Sequence, residues 1–138
     1  MARTGMRLEG DADMDKRLGR IEGLADRDFL ERLAVNALAP VADTARGIVR
    51  QRSGRLHDSL GASTHLSHSQ AADEIRDPDV VAAYVGPGSM AQAITEEFGT
   101  VDEAGNPYLR PAWDENVGGV QAAVRNGLGD RLRRLAKG

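Results

Sequence analysis

The feature that most constrains the fold is a long apolar stripe in the first half of the chain. Between Asp28 and Arg50, apolar residues recur at steps of three and four, which places them on one face of an α-helix. The stripe consists of Leu30, Leu33, Ala37, Val41, Ala45 and Ile48. Pro40 lies inside it and removes one helical hydrogen bond, so we expect a kink there or two helices that meet.

A second long helix is predicted at the end of the chain. Its apolar stripe consists of Trp113, Val117, Val120, Val124, Leu128, Leu132 and Leu135. Pro111 suits the first turn, and Asp114 and Glu115 suit the positive end of the helix dipole. The stripe is interrupted by Gly118, Gly119, Gly127 and Gly129. Each glycine weakens a helix by up to about 1 kcal/mol relative to alanine, so this helix needs tertiary or intersubunit packing.

The segment between the two helices favours extended structure. Ala62 to His68 alternates weakly between apolar and polar side chains, which is typical of a strand. Val80 to Val85 is apolar and rich in valine, and predicts a buried strand that ends at Gly86-Pro87-Gly88. Asp77-Pro78-Asp79 predicts a turn, and Glu74 to Arg76 a short facing strand.

Two glycines are expected to end helices, because glycine tolerates a positive φ. Gly54 follows the first long helix. Gly99 follows a short helix predicted from Met90 to Phe98, which Ser89 can cap. An acidic loop, Val101 to Asn106, then leads to the last helix.

The chain is predicted to be one α+β domain, with a small antiparallel sheet packed against a long N-terminal helix, a short helix and a C-terminal helix. Its 138 residues suffice for a core without cysteine, which the chain lacks. Residues 1–12 are expected to be flexible, and residues 13–138 to form the domain. A short helical stretch is expected at Leu18, Ile21 and Leu24. Ser67 to Asp79 has one large apolar residue and is predicted to be a mobile loop.

Charge and hydropathy argue against two classes of protein. The net charge of −3 lacks the positive excess that non-specific nucleic-acid binders carry. Basic residues nevertheless cluster at the C-terminus, at Arg131, Arg133, Arg134 and Lys137, while Glu96 to Glu103 is acidic. The N-terminus has no apolar signal region, and the run from Val80 to Val85 is too short to span a bilayer, so we expect synthesis in the cytoplasm and no membrane partner.

Residue types used in catalysis and metal binding occur near the middle of the chain without a convincing pattern. His65 and His68 would point to opposite faces of a strand, so together with His57 they predict solvated side chains rather than a metal site. Asp58 and Ser59 adjoin His57, but adjacent residues rarely form a catalytic triad. We therefore expect no enzyme activity.

Two further motifs are weak. The turn Gly86-Pro87-Gly88-Ser89 lacks the lysine of a phosphate-binding loop, which predicts a plain strand-to-helix connection and no cofactor. Glu96 and Glu97 are neighbours on a helix, so they do not face each other as an acid–base pair would. The C-terminal arginines suit the negative end of the helix dipole, and contact with DNA or an acidic partner is the alternative.

Three segments, in this order and spacing, resemble motifs of one phage protein family. They are Arg52 to Leu60 (RSGRLHDSL), Ile94 to Thr100 (ITEEFGT) and Pro107 to Asp114 (PYLRPAWD). They look like the phage morphogenesis family named after gene product ten of phage HK ninety-seven, with its TGRLRDSI-like turn, EFGT helix end and PFLRPA helix start. The resemblance spans Ala34 to Leu132. It departs from the family at Ser53, where threonine is usual, and at Met90-Ala91, where an aromatic-alanine pair is common.

The resemblance implies a structural virion protein for tail completion or head–tail joining, in a tailed phage, a prophage remnant or a gene transfer agent. Its implied partners are copies of itself in a ring, expected to be a hexamer, and the head–tail connector, tail terminator and tail tube, with transient contact to passing DNA. The implied location is the head–tail interface of the virion, and the host cytoplasm during assembly. The motif residues are Gly54, Arg55, Leu56, Ser59, Glu97, Phe98, Gly99, Thr100, Pro107, Tyr108, Leu109, Arg110, Pro111 and Trp113.

Physical reasoning favours fold maintenance over direct partner contact as the role of these motif residues. Phe98 and Trp113 are expected to be buried anchors of a core poor in aromatic side chains. Arg110, beside Glu96 or Glu97, is expected to clamp the acidic loop to the last helix. The alternative function is an accessory module, encoded among phage genes, that binds nucleic acid or a host factor through the arginine-rich end.

Overall fold

The computed structural model describes residues 11–24, 26–50, 54–66, 71, 77–88 and 91–137, and confirms the predicted α+β class. In chain order the elements are α1 (Asp11–Leu24), α2 (Arg27–Ile48), α3 (Arg55–Ser59), β1 (Gly61–Ser63), β2 (Tyr84–Gly86), α4 (Ala91–Phe98) and α5 (Leu109–Lys137). α1 confirms the short helical stretch predicted at Leu18, Ile21 and Leu24, and α2 confirms the long N-terminal helix. Because α1 begins at Asp11, the end of the segment predicted to be flexible is helical.

The long helices α2 and α5 pack antiparallel and form the frame of the domain. Near one end, the Asn116 side-chain amide donates to Thr44 Oγ1 at 2.9 Å. Near the other end, Gly127 lies directly against Leu33, where a Cβ atom would clash. The buried face of α2 includes Ala37, Val41 and Ala45 of the predicted stripe, together with Leu38 and Ala42. α2 continues through Pro40, so the alternative of two helices meeting there is wrong.

The sheet is smaller than predicted. β1 and β2 pair antiparallel, with Gly61 opposite Gly86 and Ser63 opposite Tyr84. The predicted strand from Val80 is wrong up to Ala83, because the backbone there is irregular and Val80 is exposed just after a turn. That turn is confirmed, since the Val80 N–H donates to the Asp77 carbonyl at 3.1 Å. The facing strand expected at residues 74–76, most of the predicted loop 67–79, and His68 lie outside the described residues.

The core lies where α2, α3, α4 and α5 meet. Its buried side chains are Val41, Ala45, Val49, Leu56, Leu60, Ala93, Tyr108 and Ala112. α5 contributes Ala112 rather than the predicted Trp113, which is 38% exposed, and Leu132 is also exposed. The predicted stripe of α5 is therefore wrong at these two positions. α5 approaches α2 closely at Gly127, which lies against Leu33, and its Leu109 and Val120 pack against the core while partly exposed.

Candidate functional site

The three motif segments converge on the core, beside the junction of α4 and α5. Leu56 and Leu60 come from the first segment and Tyr108 from the third, and all three are 1% exposed. The Tyr108 hydroxyl donates to the Ala93 carbonyl of α4 at 3.1 Å, immediately before the second segment. Leu56, Leu60 and Tyr108 are therefore part of the core.

The Glu97 carboxylate caps the N-terminus of α5. Its Oε2 accepts from the backbone N–H groups of Tyr108 at 2.8 Å and Leu109 at 3.0 Å, and its Oε1 accepts from the Arg110 N–H at 3.1 Å. The first N–H groups of a helix have no partner within the helix and carry partial positive charge, so a carboxylate satisfies them and stabilises the helix dipole. Glu97 thus joins the second motif to the third.

The predicted side-chain clamp between Arg110 and Glu96 or Glu97 is wrong. The Arg110 guanidinium instead lies 3.3 Å from Asp114, one turn further along α5. Asp114 is four residues after Arg110, so the two side chains are neighbours on the surface of α5. Only the backbone of Arg110 contacts Glu97.

Glu96 is 6% exposed and forms an ion pair that the sequence did not predict. Its Oε1 accepts from Arg50 Nε at 2.7 Å, and its backbone carbonyl accepts from the Asn106 N–H at 2.7 Å. Arg50 lies just beyond α2 and 46 residues from Glu96, a separation that no local pattern reveals. Because Glu96 and Glu97 serve different partners, they form two structural contacts rather than an acid–base pair.

The loop between α4 and α5 is folded back on the end of α4. Gly99 has φ +80° and its N–H donates to the Thr95 carbonyl at 2.8 Å, which confirms it as the stop of α4. Thr100 and Glu103 exchange bonds, from the Thr100 N–H to the Glu103 carbonyl and from the Glu103 N–H to Thr100 Oγ1. The apposition of Gly105 and Gly99 closes the loop. These hydrogen bonds and this close approach hold the acidic loop against the end of α4.

The first motif has a different local role from the one predicted. Gly54 has the expected positive φ, +76°, but it begins α3 instead of ending α2, which already ends at Ile48. Its carbonyl accepts from the Asp58 N–H at 2.8 Å. Glycine adopts a left-handed conformation easily at either end of a helix. The positive φ of Gly54 was therefore predictable, but the helix that it adjoins was not.

The side chains with triad chemistry do not form a triad. His57 Nδ1 lies 3.0 Å from Asp58 Oδ1, but the Ser59 hydroxyl donates to the Leu56 carbonyl at 2.8 Å. The Ser59 hydroxyl is therefore hydrogen-bonded to the backbone of α3 and not to the His57 imidazole. Within the described ranges, no group of three or more His, Cys, Asp or Glu side chains could hold a metal ion.

Large apolar side chains of the second motif are exposed. Phe98 is 80% exposed, and Ile94, one turn earlier on the same face of α4, is also exposed, as is Val101 in the following loop. The prediction that Phe98 and Trp113 anchor the core is therefore wrong, and Tyr108 is the buried aromatic residue. We call Ile94, Phe98 and Val101 the junction surface. Arg55, Pro107 and Pro111 are further exposed motif residues.

Removing the Glu97 cap should destabilise the fold measurably. We expect Glu97→Ala to lower the free energy of unfolding by about 2 kcal/mol, because three backbone N–H groups lose their acceptor. The matched control is Glu115→Ala, at an exposed position of α5, for which we expect a change within about 0.5 kcal/mol. Urea unfolding followed by circular dichroism measures both. Equal effects would show that Glu97 does not cap α5.

Tyr108 should make the fold sensitive to alkaline pH. Burial, with the nearby Glu97 and Glu96 carboxylates, raises the pKa of Tyr108 from 10.0 to about 12. Between these values the unfolded chain loses a proton that the folded chain keeps, so stability falls by about 1.4 kcal/mol per pH unit. Below pH 10 the contribution is fully present. Tyr108→Phe should remove this slope in urea unfolding between pH 9 and 12, and an unchanged slope would contradict the assignment.

Comparison with known proteins found no match to a protein-family model, a curated protein or a solved structure. The resemblance of the three segments to the phage morphogenesis family therefore stays a prediction. No helix in the part of the chain that the structure describes is long and apolar enough to cross a membrane.

Proposed function

We propose that the chain is a structural subunit of a tailed phage or gene transfer agent, which acts in an oligomeric ring at the head–tail interface. The observation that carries this proposal is the junction surface. Ile94 and Phe98 stand exposed on α4, next to a loop that the contacts of Gly99, Gly105 and Glu97 fix in place. An exposed apolar cluster on a rigid frame is typical of a surface that another protein covers.

The sequence motifs support the same proposal. The segments that resemble the phage family meet in one core, with Leu56, Tyr108 and Glu97 at its contacts. The Glu97 carboxylate accepts hydrogen bonds from residues 108–110. This contact is a physical reason for the spacing between the second and third motifs. We propose the ring, the neighbouring proteins and the position along the neck on the basis of this resemblance.

Electron microscopy of particles that lack the protein tests the proposed function. Deletion of the gene from the genome that encodes it should leave filled heads and separate tails, or tails with faulty ends. Wild-type protein supplied in trans should restore joined particles. The control Val80→Ser should restore them equally, because Val80 is exposed and lies with Arg27 and Pro78 at the start of α2, apart from the junction. Normal infectious particles after deletion would refute the role.

An accessory nucleic-acid-binding module is the second candidate, favoured by the basic end of α5. Four basic side chains fall within the last eight residues of the chain, although Arg131 also lies 3.9 Å from Asp26 and 4.9 Å from the centre of the Phe29 ring. Phosphate contacts give an affinity for DNA that falls with salt concentration. Fluorescence anisotropy with duplex DNA at low and high salt measures it. No binding at low salt would remove this candidate.

A further inference from the structure

We propose that copies of this chain associate head to tail, with the junction surface of one copy covered by the opposite end of α5 and the adjoining α1 of the next copy. This inference rests on the proposed function, and it names the surfaces that meet. We call the second surface the tail surface, and define it by Leu18 and Ile21 of α1 and Leu132 of α5.

The exposed apolar side chains are concentrated at these two places. Among the described residues, nine large hydrophobic side chains are exposed. Four belong to the junction or to the first turns of α5, namely Ile94, Phe98, Val101 and Trp113. Four belong to α1 and the last turns of α5, namely Met14, Leu18, Ile21 and Leu132. Val80 is the ninth, so the domain exposes large apolar groups mainly in two sets.

The tail surface lies near the end of α5 that is remote from the junction. α1 packs against α5, and it ends two residues before Asp26, which pairs with Arg131 at 3.9 Å. Leu18 and Ile21 are spaced as one face of α1 and remain exposed despite that packing. Leu132 follows Arg131 directly on α5.

The two surfaces cannot cover each other within one molecule. The junction is fixed to residues 108–110 by the Glu97 cap, while the tail surface adjoins Arg131. Between Leu109 and Arg131 an α-helix rises by about 33 Å. A second copy, however, can bring its tail surface to the first copy's junction.

The charges around the two surfaces have opposite signs. Between residues 102 and 115, the chain has four carboxylates and one guanidinium, at Asp102, Glu103, Asp114, Glu115 and Arg110. Between residues 125 and 137 it has five basic side chains and one acidic one, at Arg125, Arg131, Arg133, Arg134, Lys137 and Asp130. α1 has four acidic and three basic residues, and the start of α2, which meets α5 here through the Asp26–Arg131 pair, has Asp26, Asp28 and Glu31 against Arg27 and Arg32. The excess of basic side chains therefore belongs to the last turns of α5.

Opposite charges favour a head-to-tail contact over a symmetric one. Two junction surfaces brought together would place acidic side chains against acidic ones, and two copies of the last turns of α5 would place basic against basic, which costs free energy. A junction against a tail surface pairs apolar with apolar and acidic with basic. A contact between two different surfaces repeats from copy to copy, and it gives a closed ring when the rotation between copies closes.

Two variants that each damage one surface test the arrangement. Phe98→Ser removes the largest apolar group of the junction, and Leu132→Glu places a carboxylate in the tail surface, where it would face the acidic junction of the next copy. Both side chains are exposed, so both variants should fold with the wild-type circular dichroism spectrum and unfolding midpoint. Ala123→Ser is the control, because Ala123 is exposed midway along α5 and belongs to neither surface.

Mass photometry and analytical ultracentrifugation on the full chain give the readout. We expect wild type and Ala123→Ser to associate beyond a dimer, and each of the two surface variants to associate at least tenfold more weakly. An equimolar mixture should form a dimer and nothing larger, because Leu132→Glu supplies an intact junction and Phe98→Ser an intact tail surface. Each such pair has only one undamaged interface.

Other outcomes overturn the inference. If Leu132→Glu alone assembles like the wild type, the contact is symmetric through the junction. If the mixture shows no dimer, the two surfaces do not meet. If wild type stays monomeric at every concentration, the surfaces serve other proteins. None of these results changes the particle experiment, so the proposed function and this inference can fail separately.

Discussion

Gly105→Ala should lower the free energy of unfolding by about 3 kcal/mol or more. A Cβ atom at Gly105 would lie 2.6 Å from Gly99 N, 2.7 Å from the Phe98 carbonyl carbon and 2.8 Å from Glu97 O. All three atoms are backbone, so relief requires the loop to move away from the end of α4. That movement would also disturb the Glu97 cap, which is why we expect a loss at the upper end of the usual range.

Gly118→Ala is the matched control for this prediction. Gly118 is exposed on α5 and a Cβ atom there meets nothing within 4 Å. Alanine is the better helix former, so this variant should gain up to about 1 kcal/mol. Urea unfolding of the two variants and the wild type gives the comparison. A loss for Gly105→Ala no larger than 1 kcal/mol would show that the loop does not need this close approach.

Tyr108→Ala should cost about 3–5 kcal/mol, because it empties the centre of the core. Tyr108 is 1% exposed and packs among Leu56, Leu60 and Ala112. Its removal also leaves the Ala93 carbonyl without the hydroxyl donor. The free energy of unfolding of a domain is typically about 5–15 kcal/mol, so this loss would remove a large part of it.

Trp113→Ala should cost about 2–3 kcal/mol, less than Tyr108→Ala although tryptophan is larger than tyrosine. Its side chain is 38% exposed and lies at the edge of α5, so less buried area is lost. The ratio of the two losses, measured by urea unfolding, tests the assignment of the core. A larger loss for Trp113→Ala than for Tyr108→Ala would mean that the tryptophan is the anchor after all.

The long helices were predictable because their signal is local. The stripe from Leu30 to Ile48 repeats with the helical period for five turns, and Ala37, Val41 and Ala45 are buried as that period requires. Gly99 was predictable for a similar reason, since a glycine after a helix commonly takes a positive φ. In both cases the physical cause lies within a few residues of the feature.

The prediction that Trp113 lies in the core was wrong because the search for a helical stripe gave large apolar side chains more weight than small ones such as Ala112. Ala112 and Trp113 are neighbours, so the helix buries one by turning the other outward. Close packing of α2 on α5 at Gly127 favours small residues along the contact. The sequence pattern alone could not decide which face α2 would cover.

The junction was only partly predictable. The motifs identified Glu97 and the start of α5 as important, but the contact is between a carboxylate and backbone N–H groups, which leave no trace in side-chain pattern. The Arg50–Glu96 ion pair joins residues 46 apart. Exposure of Phe98 could not be read from its identity, because the same residue type suits a core or an interface.

Cryo-electron microscopy of the neck of particles produced by the encoding genome can show the proposed subunit in place. We predict a ring between head and tail into which this domain fits. In neighbouring copies, Phe98 should face Leu132 and α1 of the next subunit. Particles whose neck contains no density for this domain, with the protein also missing from their mass-spectrometric composition, would contradict the claim that it is a structural subunit of the virion.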